Sequence, residues 1–112
     1  MVLISDSISP TGLSDGEATS GGLPVYIKNG QATLSDGTIA GSTSNLLQGV
    51  RNVISFGIKP EHAFKAASIN PARAVKIDNV TGSITEGKRA DLLILDKDLN
   101  LKKVIINGKI FK

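Results

Sequence analysis

The 112-residue sequence has no cysteine, no tryptophan and a single histidine, His62. Disulfides and thiolate metal sites are therefore excluded, and one imidazole cannot form a cluster of histidine ligands. With one tyrosine and three phenylalanines, the chain also has few rings that could stack on bases. Its basic residues are scattered apart from a group of lysines near the C-terminus, so we expect no nucleic-acid partner.

Long apolar runs are also missing from the sequence. No segment reaches the roughly 20 apolar residues that cross a bilayer. The sequence also shows no positively charged segment followed by a long apolar stretch, the pattern of a signal peptide. The chain is 40% hydrophobic and 21% charged, with a net charge of +3. These values are typical of one globular domain. We therefore expect a cytoplasmic protein without a membrane partner.

A short apolar run, Met1–Ser5, ends at Asp6 and is followed by the Gly/Ser-rich stretch Ser7–Gly22. An apolar run that ends in an acid is typical of a buried parallel strand carrying a catalytic carboxylate at its C-terminal end. The pattern predicts a strand over Val2–Ser5 and makes Asp6 the main catalytic candidate. A solvated acid or a cap for loop amides is the alternative. The stretch Ser7–Gly22 is long for a loop, so it either covers a substrate or is mobile.

Two turn signals lie in the first half of the chain, and the first of them predicts a β-hairpin. Asn29-Gly30 separates the apolar runs Leu23–Lys28 and Gln31–Leu34, and both turn residues tolerate positive φ. A second signal, Asp36-Gly37, leads into Thr38–Ser42.

Helical periodicity follows over residues 43–76. Ser42 or Ser44 is the expected N-cap of a helix from about Asn45 to Phe56, which Gly57 ends. Pro60 is placed to begin a second helix. The expected packing face of that helix is Ala63, Phe64 and Ala67. Asn70-Pro71 should stop it and cap a short third helix that runs through Ala74.

The C-terminal part returns to strands. Asn107-Gly108 predicts another hairpin turn. The expected strands are Ser83–Ile84, Asp91–Leu95, Lys102–Ile106 and Lys109–Phe111. The whole chain therefore reads as an α/β sequence, or α+β if it folds as an isolated piece.

Several of these segments resemble the amidohydrolase superfamily. Gly82–Asp96 resembles its C-terminal G-x-I-x-x-G-K-x-A-D-L-x-I-L-D segment, and Asn70–Arg73 resembles the N-P-A-R/K turn before it. Ile4–Asp6, Gly37–Ser42 and Gly49–Asn52, in this order and spacing, are similar to the N-acetylglucosamine-6-phosphate deacetylase family. The resemblance covers essentially the whole chain, as the last portion of such an enzyme.

The resemblance implies a fold and a site. Residues 1–76 would supply the last strand and the helices of a metal-dependent (β/α)₈ barrel, and residues 77–112 the C-terminal strands of a small β-sandwich. Asp6 would match the catalytic aspartate, which takes a proton from metal-bound water and returns it to the leaving amine. Ile39, Ala40 and Gly41 match the segment that lines the sugar pocket.

The resemblance also implies a cofactor and partners. The parent enzyme would use a divalent metal, zinc or iron, and act as a cytoplasmic homodimer on a phosphorylated amino sugar. Its metal ligands, a Glu and two His of earlier barrel strands, have no counterparts here, and a whole barrel needs about 250 residues. We therefore expect this chain to be a C-terminal fragment that binds no metal and is inactive alone.

Other polar residues are given structural interpretations. His62 has no neighbouring ligand motif, so we expect a surface histidine. In the resembled family the phosphate contacts come from residues before Met1, so Arg51 and Arg73 are not assigned to phosphate. Arg73 should tie down local backbone or carboxylates, and Asp91 should be structural.

Two alternative functions remain open from the sequence. The chain could be a non-catalytic binding or assembly domain whose apolar faces promote self-association. It could also belong to another amidohydrolase, such as a dihydroorotase-like or related deaminase enzyme. The segment Gly37–Ser42 argues against this second alternative.

Overall fold

The computed structural model describes all 112 residues as a mixed α/β chain with three helices and two antiparallel sheets. The chain divides into two compact units. One is Leu3–Val53, and the other is Ile54–Lys112 together with Met1–Val2. The longest helix has 10 residues, so none of the helices is long enough to cross a membrane.

A four-stranded meander forms the sheet of the Leu3–Val53 unit. Its strands pair in chain order and are β1 (Gly16–Ser20), β2 (Leu23–Lys28), β3 (Gln31–Thr33) and β4 (Ile39–Ser42). Asn29 and Gly30 join β2 to β3 with φ of 52° and 74°, which confirms the predicted hairpin. Alternation along β2 buries Val25 and Ile27. The other buried residues of this unit are Pro10, Ala32 and Val50.

The predicted strand over Val2–Ser5 is wrong. These residues belong to neither sheet, and Ile4 is 78% exposed. A buried parallel strand needs neighbouring strands to pair its backbone groups, and this chain supplies no such neighbours to residues 1–5. The only parallel pairing is an isolated bridge between Ser7 and Ser42.

The stretch Ser7–Gly22 is not a structureless loop, because it contains β1. Its residues Gly16–Ser20 have little β propensity of their own, and they pair with β2 across Gly21-Gly22. Both glycines have positive φ, 58° and 81°. A Gly-Gly pair is a recognised hairpin signal, and it is the sequence feature that indicates this strand.

Helix α1 (Leu46–Ser55) lies within one residue of its predicted bounds at each end. Its N-cap is Asn45 and not Ser42 or Ser44, because Asn45 Oδ1 accepts a hydrogen bond from the backbone N–H of Gln48 at 2.9 Å. The Ser42 hydroxyl oxygen is engaged by the N–H of Ser44 at 3.0 Å. Gly57 follows the helix with φ of 98°, as predicted for a C′ glycine.

Helices α2 (Pro60–Ala67) and α3 (Ile69–Ala74) belong to the second unit. Pro60 begins α2 as predicted. Asn70 and Pro71 do not stop α2, since α2 has already ended and both lie in the first turn of α3. A proline is tolerated there because first-turn N–H groups have no intrahelical partner.

Small residues form the packing face of these two helices. Ala63 is buried as predicted, and Ala66 and Ala72 are buried with it. Phe64 and Ala67, which were predicted to pack, are only half-buried. Ala66 is buried although the predicted face did not include it. Alanines let helices approach closely but bury little apolar area each, so this core contributes modestly to stability.

The second unit ends in a three-stranded antiparallel sheet. Its strands are β5 (Leu92–Leu95), β6 (Leu101–Ile106) and β7 (Lys109–Ile110), and Asn107-Gly108 makes the predicted turn. The expected strand Ser83–Ile84 is wrong, because these residues pair with no strand and Ile84 is 89% exposed. Hydrogen bonds from Lys88 Nζ to Ser83 Oγ and between Ser83 and Thr85 instead join this segment across the turn at Glu86-Gly87.

Candidate catalytic and ligand-binding site

Asp6 has an unusual backbone conformation. It is exposed and has a φ of 49°, in the left-handed region that non-glycine residues seldom adopt. Turns or helix ends account for the other non-glycine residues with positive φ, which are Asn29, Lys76, Leu99 and Asn107. Asp6 lies in no turn, and a strained backbone that persists outside a turn is a reason to consider function at that residue.

Backbone hydrogen bonds join the Asp6 segment to the end of β4. The N–H of Ser42 donates to the Asp6 carbonyl at 3.1 Å, and the N–H of Ile8 donates to the Ser42 carbonyl at 3.1 Å. This pair of bonds is the parallel bridge that brackets Ser7. It brings the predicted catalytic residue and the predicted ligand-binding segment together, although 33 positions separate Gly41 from Ile8 in the sequence.

Hydroxyl groups reinforce this junction. Thr11 Oγ1 donates a second hydrogen bond to the Ser42 carbonyl at 3.0 Å, and Ser7 Oγ donates to the Ser44 carbonyl at 2.9 Å. The Thr43 hydroxyl donates to the Gly30 carbonyl, which ties the end of β4 to the β2–β3 turn. The Asp6 carboxylate takes no part in these bonds. The backbone of Asp6 is thus held while its carboxylate is open to a ligand.

The three predicted ligand-binding residues lie on β4. Ile39 is 65% exposed and Ala40 is half-buried. Gly41 has a φ of 146°, and a Cβ at this position would meet Ile8 Cγ2 at 2.4 Å. An exposed apolar side chain on the strand that pairs with the Asp6 segment can contact a ligand that also presents a polar group to a carboxylate.

A metal centre cannot be built from the residues of this chain. No group of three or more His, Asp or Glu side chains is placed to hold a metal ion. Asp6 alone offers one carboxylate, whereas a catalytic zinc site has three protein ligands. The chain therefore does not fit a catalytic metal by itself.

Neither His62 nor Arg73 forms a hydrogen bond or an ion pair with the residues of this junction, and Arg51 bonds within its own helix. His62 Nε2 is 3.6 Å from Glu61 Oε1 and both side chains are largely exposed, which confirms a surface histidine. Arg51 Nη1 donates to Gln48 Oε1 at 3.3 Å along α1. Arg73 is exposed and its guanidinium holds neither backbone nor carboxylate, so its predicted tying role is wrong.

Asp91 is structural, as predicted. Its Oδ1 accepts the N–H of Asn107 at 2.9 Å, and its Oδ2 accepts Arg89 Nε at 2.6 Å. The hydrogen bond from the Asn107 backbone, followed by that from Arg89, lowers the pKa of the Asp91 carboxyl. The ionised carboxylate thereby fixes the start of β5 against the β6–β7 turn.

Sequence reasoning missed Ile8, Thr11 and Ser42 as parts of the site. Ile8 and Thr11 fall in a segment that the sequence predicts to be a loop, and Thr11 is 31 positions from its partner Ser42. No local period or spacing can reveal a pairing between such distant residues. The one usable signal was Gly41, since a glycine within a strand often marks a close approach of another segment.

Comparisons with known proteins match nearly the whole chain. The model of the amidohydrolase family matches residues 23–111. An Escherichia coli (strain K12) protein, provisionally named an N-acetylgalactosamine-6-phosphate deacetylase, is 36% identical over 111 residues. That alignment covers 98% of this chain and 66% of that protein. The N-acetylglucosamine-6-phosphate deacetylase of Vibrio furnissii is 35% identical, over 98% of this chain and 28% of its own length.

A solved structure is similar in fold as well as in sequence. The N-acetylglucosamine-6-phosphate deacetylase of Thermotoga maritima is 43% identical and superposes with a TM-score of 0.88. The match covers 98% of this chain and 30% of that one. The chain thus spans less than a third of this deacetylase and of the Vibrio enzyme.

Proposed function

The chain belongs to the amidohydrolase family, and we propose that it is the C-terminal part of an N-acetylglucosamine-6-phosphate deacetylase. Such an enzyme hydrolyses the acetamide of the phosphorylated sugar to glucosamine 6-phosphate and acetate. The observation that carries the proposal is the match of 98% of this chain to a deacetylase structure at a TM-score of 0.88. The chain alone would then hold one part of an active site.

The proposed position in the parent fold agrees with two observations on this chain. Residues 1–76 would complete a (β/α)₈ barrel, and residues 77–112 would contribute strands to a small β-sandwich. Val2 and Ile4 are exposed and Val2–Ser5 pair with no strand, so this apolar segment has no neighbour within the chain that covers it. The sheet formed by β5, β6 and β7 likewise leaves apolar side chains exposed, among them Leu93 and Ile106.

We assign acid–base chemistry to Asp6. Its carboxylate would accept a proton from the attacking water and donate that proton to the nitrogen of the leaving amine. A positioned carboxylate serves both steps because amide hydrolysis first needs a base at the water and then an acid at the nitrogen. The exposed carboxylate of Asp6 and its strained, hydrogen-bonded backbone support this role.

Ile39, Ala40 and Gly41 would form one wall of the sugar site. The exposed Ile39 side chain offers apolar contact, and Gly41 lets the segment of Asp6 and Ile8 approach this strand closely. Apolar walls with a few placed polar groups are typical of small-molecule sites. The phosphate of the substrate would bind to residues outside this chain.

Amidohydrolases are in general metal-dependent, but the residues of this chain do not form a metal site. We propose that other parts of the parent enzyme hold a divalent ion, zinc or iron. A phosphorylated amino sugar is the proposed substrate partner. We also propose a cytoplasmic homodimer, on the basis of the family resemblance alone.

The names of the relatives support a second candidate substrate. The Escherichia coli relative is named for N-acetylgalactosamine 6-phosphate, which differs from the glucosamine compound at one ring carbon. Its identity to this chain, 36%, is as high as that of the Vibrio deacetylase, 35%. The resemblance therefore supports hydrolysis of an acetamide more strongly than it supports either epimer as the substrate.

The test is an assay of the complete gene product that contains this sequence. The protein is supplied with zinc or ferrous iron, and release of acetate is measured with each of the two phosphorylated epimers. We expect turnover of at least one epimer and none of the unphosphorylated sugars at comparable concentration. A folded, metal-supplied protein that hydrolyses neither phosphorylated epimer would contradict the proposal.

A further inference from the structure

We propose that Gly41 and Ile8 form a positioning pair that fixes the backbone of Asp6, and that Gly41 affects catalysis through Ile8 more than through the ligand. This inference rests on the proposed role of Asp6. It concerns a contact inside the Leu3–Val53 unit. Three observations carry it: the close approach of Ile8 to Gly41, the backbone hydrogen bonds on either side of Ser7, and the absence of a partner for the Asp6 carboxylate within this chain.

Ile8 occupies the space that a side chain at position 41 would need. A Cβ on Gly41 would lie 2.4 Å from Ile8 Cγ2, and 3.6 Å from the Asp6 carbonyl oxygen. Ile8 Cγ2 is bonded directly to the β-carbon of a β-branched residue, so it cannot move without a change of χ1 or of the backbone. A side chain at position 41 therefore either forces Ile8 into another rotamer or displaces the segment that carries Asp6.

The backbone bonds transmit this displacement to Asp6. The Ser42 N–H donates to the Asp6 carbonyl and the Ser42 carbonyl accepts from the Ile8 N–H, both at 3.1 Å, so the residues on either side of Ser7 are bound to one residue of β4. Asp6 keeps a φ of 49° within this arrangement. A strained conformation persists only where surrounding contacts over-determine it, and these contacts supply that constraint.

Within this chain, only its own backbone orients the side chain of Asp6. Its carboxylate is exposed and forms neither a hydrogen bond nor an ion pair within the chain. The direction of the carboxylate is therefore set by the backbone from which it projects, since allowed rotamers depend on φ and ψ. A displacement of about 1 Å in a catalytic group can lower turnover about 100-fold.

The kinetic constants of a Gly41 variant distinguish a role in positioning Asp6 from a role in ligand contact. If Gly41 positions Asp6, Gly41→Ala lowers kcat by roughly 10- to 100-fold with little change in KM. If Gly41 mainly gives room to the sugar, the same substitution raises KM. The variants are made in the complete gene product, and unchanged far-UV circular dichroism establishes that they fold.

A size-complementation series provides the decisive comparison. Ile8→Ala removes the methyl group that meets the new Cβ, so G41A/I8A should recover at least a threefold higher kcat than G41A alone. Recovery is partial because alanine remains strained at a φ of 146°. Ile8→Val keeps a carbon at the Cγ2 position, so G41A/I8V should recover nothing. Equal kcat in G41A, G41A/I8A and G41A/I8V would overturn the inference, and so would a rise in KM without a loss of kcat.

Hydrogen exchange distinguishes failure of this inference from failure of the proposed function. In mass spectrometry of the complete gene product, G41A should speed exchange in peptides that contain the amides of Ile8 and Ser42, and I8A should partly reverse this. A wild-type protein without deacetylase activity would refute the proposed function, while this exchange pattern still reports the contact. Unchanged exchange in G41A would refute the positioning pair whatever the activity.

Discussion

At the scale of single residues, Asp6 is the residue on which the proposed chemistry depends. The sequence indicated it because an apolar run ends there, although that run is not a strand in this structure. The sequence could not indicate its positive φ or its bonding to Ser42, because both arise from contacts with β4. A local pattern was thus enough to nominate Asp6 as a candidate, whereas its distant backbone partner could not be predicted.

Substitution of Asp6 by asparagine should abolish most of the activity of the complete enzyme. Asparagine keeps the size of the side chain but cannot accept and return a proton, so we expect kcat to fall by about 10²- to 10⁴-fold. Asp98→Asn is the matched control, because Asp98 is an exposed acid in the other unit. Steady-state kinetics of both variants check this, and comparable activity in D6N and D98N would exclude Asp6 as the acid–base group.

Asp96 should make stability depend on acid pH. Hydrogen bonds from Asn100, first from its backbone N–H at 2.9 Å, lower the pKa of the Asp96 carboxyl from 3.8 to about 2. Because the folded pKa lies below the unfolded one, the stabilisation is present above about pH 4 and is lost as the pH falls through 2. The urea midpoint of the wild type should therefore exceed that of Asp96→Asn above pH 4, and the two should converge towards pH 2. A difference that is independent of pH would contradict this assignment.

At the scale of elements, local signals were sufficient to predict two hairpin turns and the start of one helix. The start of α2 at Pro60 and the turns at Asn29-Gly30 and Asn107-Gly108 were predicted from residues adjacent to them. Strand Val2–Ser5 was wrong for a different reason. A strand forms only when its backbone groups can pair with those of another strand. The local sequence pattern does not indicate whether that partner strand is present.

Substitution by alanine should destabilise the protein more at Gly82 than at Gly87, a comparable glycine of the second unit. Both Gly82 and Gly87 have positive φ, 98° and 86°. A Cβ on Gly82 would lie 2.8 Å from the Ala72 Cβ and 3.2 Å from the Ile69 Cα, whereas a Cβ on Gly87 would meet nothing within 4 Å. Alanine at either site carries the backbone strain, but only Gly82→Ala adds overpacking, worth about 1–3 kcal/mol.

Urea unfolding of the two alanine variants measures this difference directly. G87A serves as the control for the strain of positive φ, so the excess destabilisation of G82A isolates the contact with α3. We expect G82A to be less stable than G87A by at least about 1 kcal/mol. Equal midpoints for the two variants would mean that α3 yields to the added methyl group.

At the scale of the whole molecule, the chain exposes apolar side chains that an independent domain would bury. Its largest fully buried side chains are only Val25 and Pro10. More than two-thirds of the surface of several large apolar residues is exposed, namely Ile4, Phe56, Ile84, Ile110 and Phe111. Exposed apolar surface of this extent favours association. It agrees with the proposal that the rest of a longer polypeptide covers these residues.

The 112-residue chain should therefore self-associate when it is produced alone. Light scattering after size-exclusion chromatography should give a mass that rises with protein concentration, because hydrophobic contacts between copies replace those of the missing neighbours. Serine at Ile84 and Phe111 should shift the distribution towards the monomer. A stable monomer at all concentrations would favour a self-sufficient small domain instead, and with it the non-catalytic alternative.

The most direct test of the central claim is to sequence the source gene upstream of the codon for Met1. The account predicts an open reading frame that continues for about 250 residues, the size of the barrel that Asp6 would serve. That frame should encode a strand-end Glu and two well-separated His as the metal ligands. A stop codon and a ribosome-binding site immediately upstream would contradict the account, since a separate 112-residue protein could not hold the catalytic metal with the residues found here.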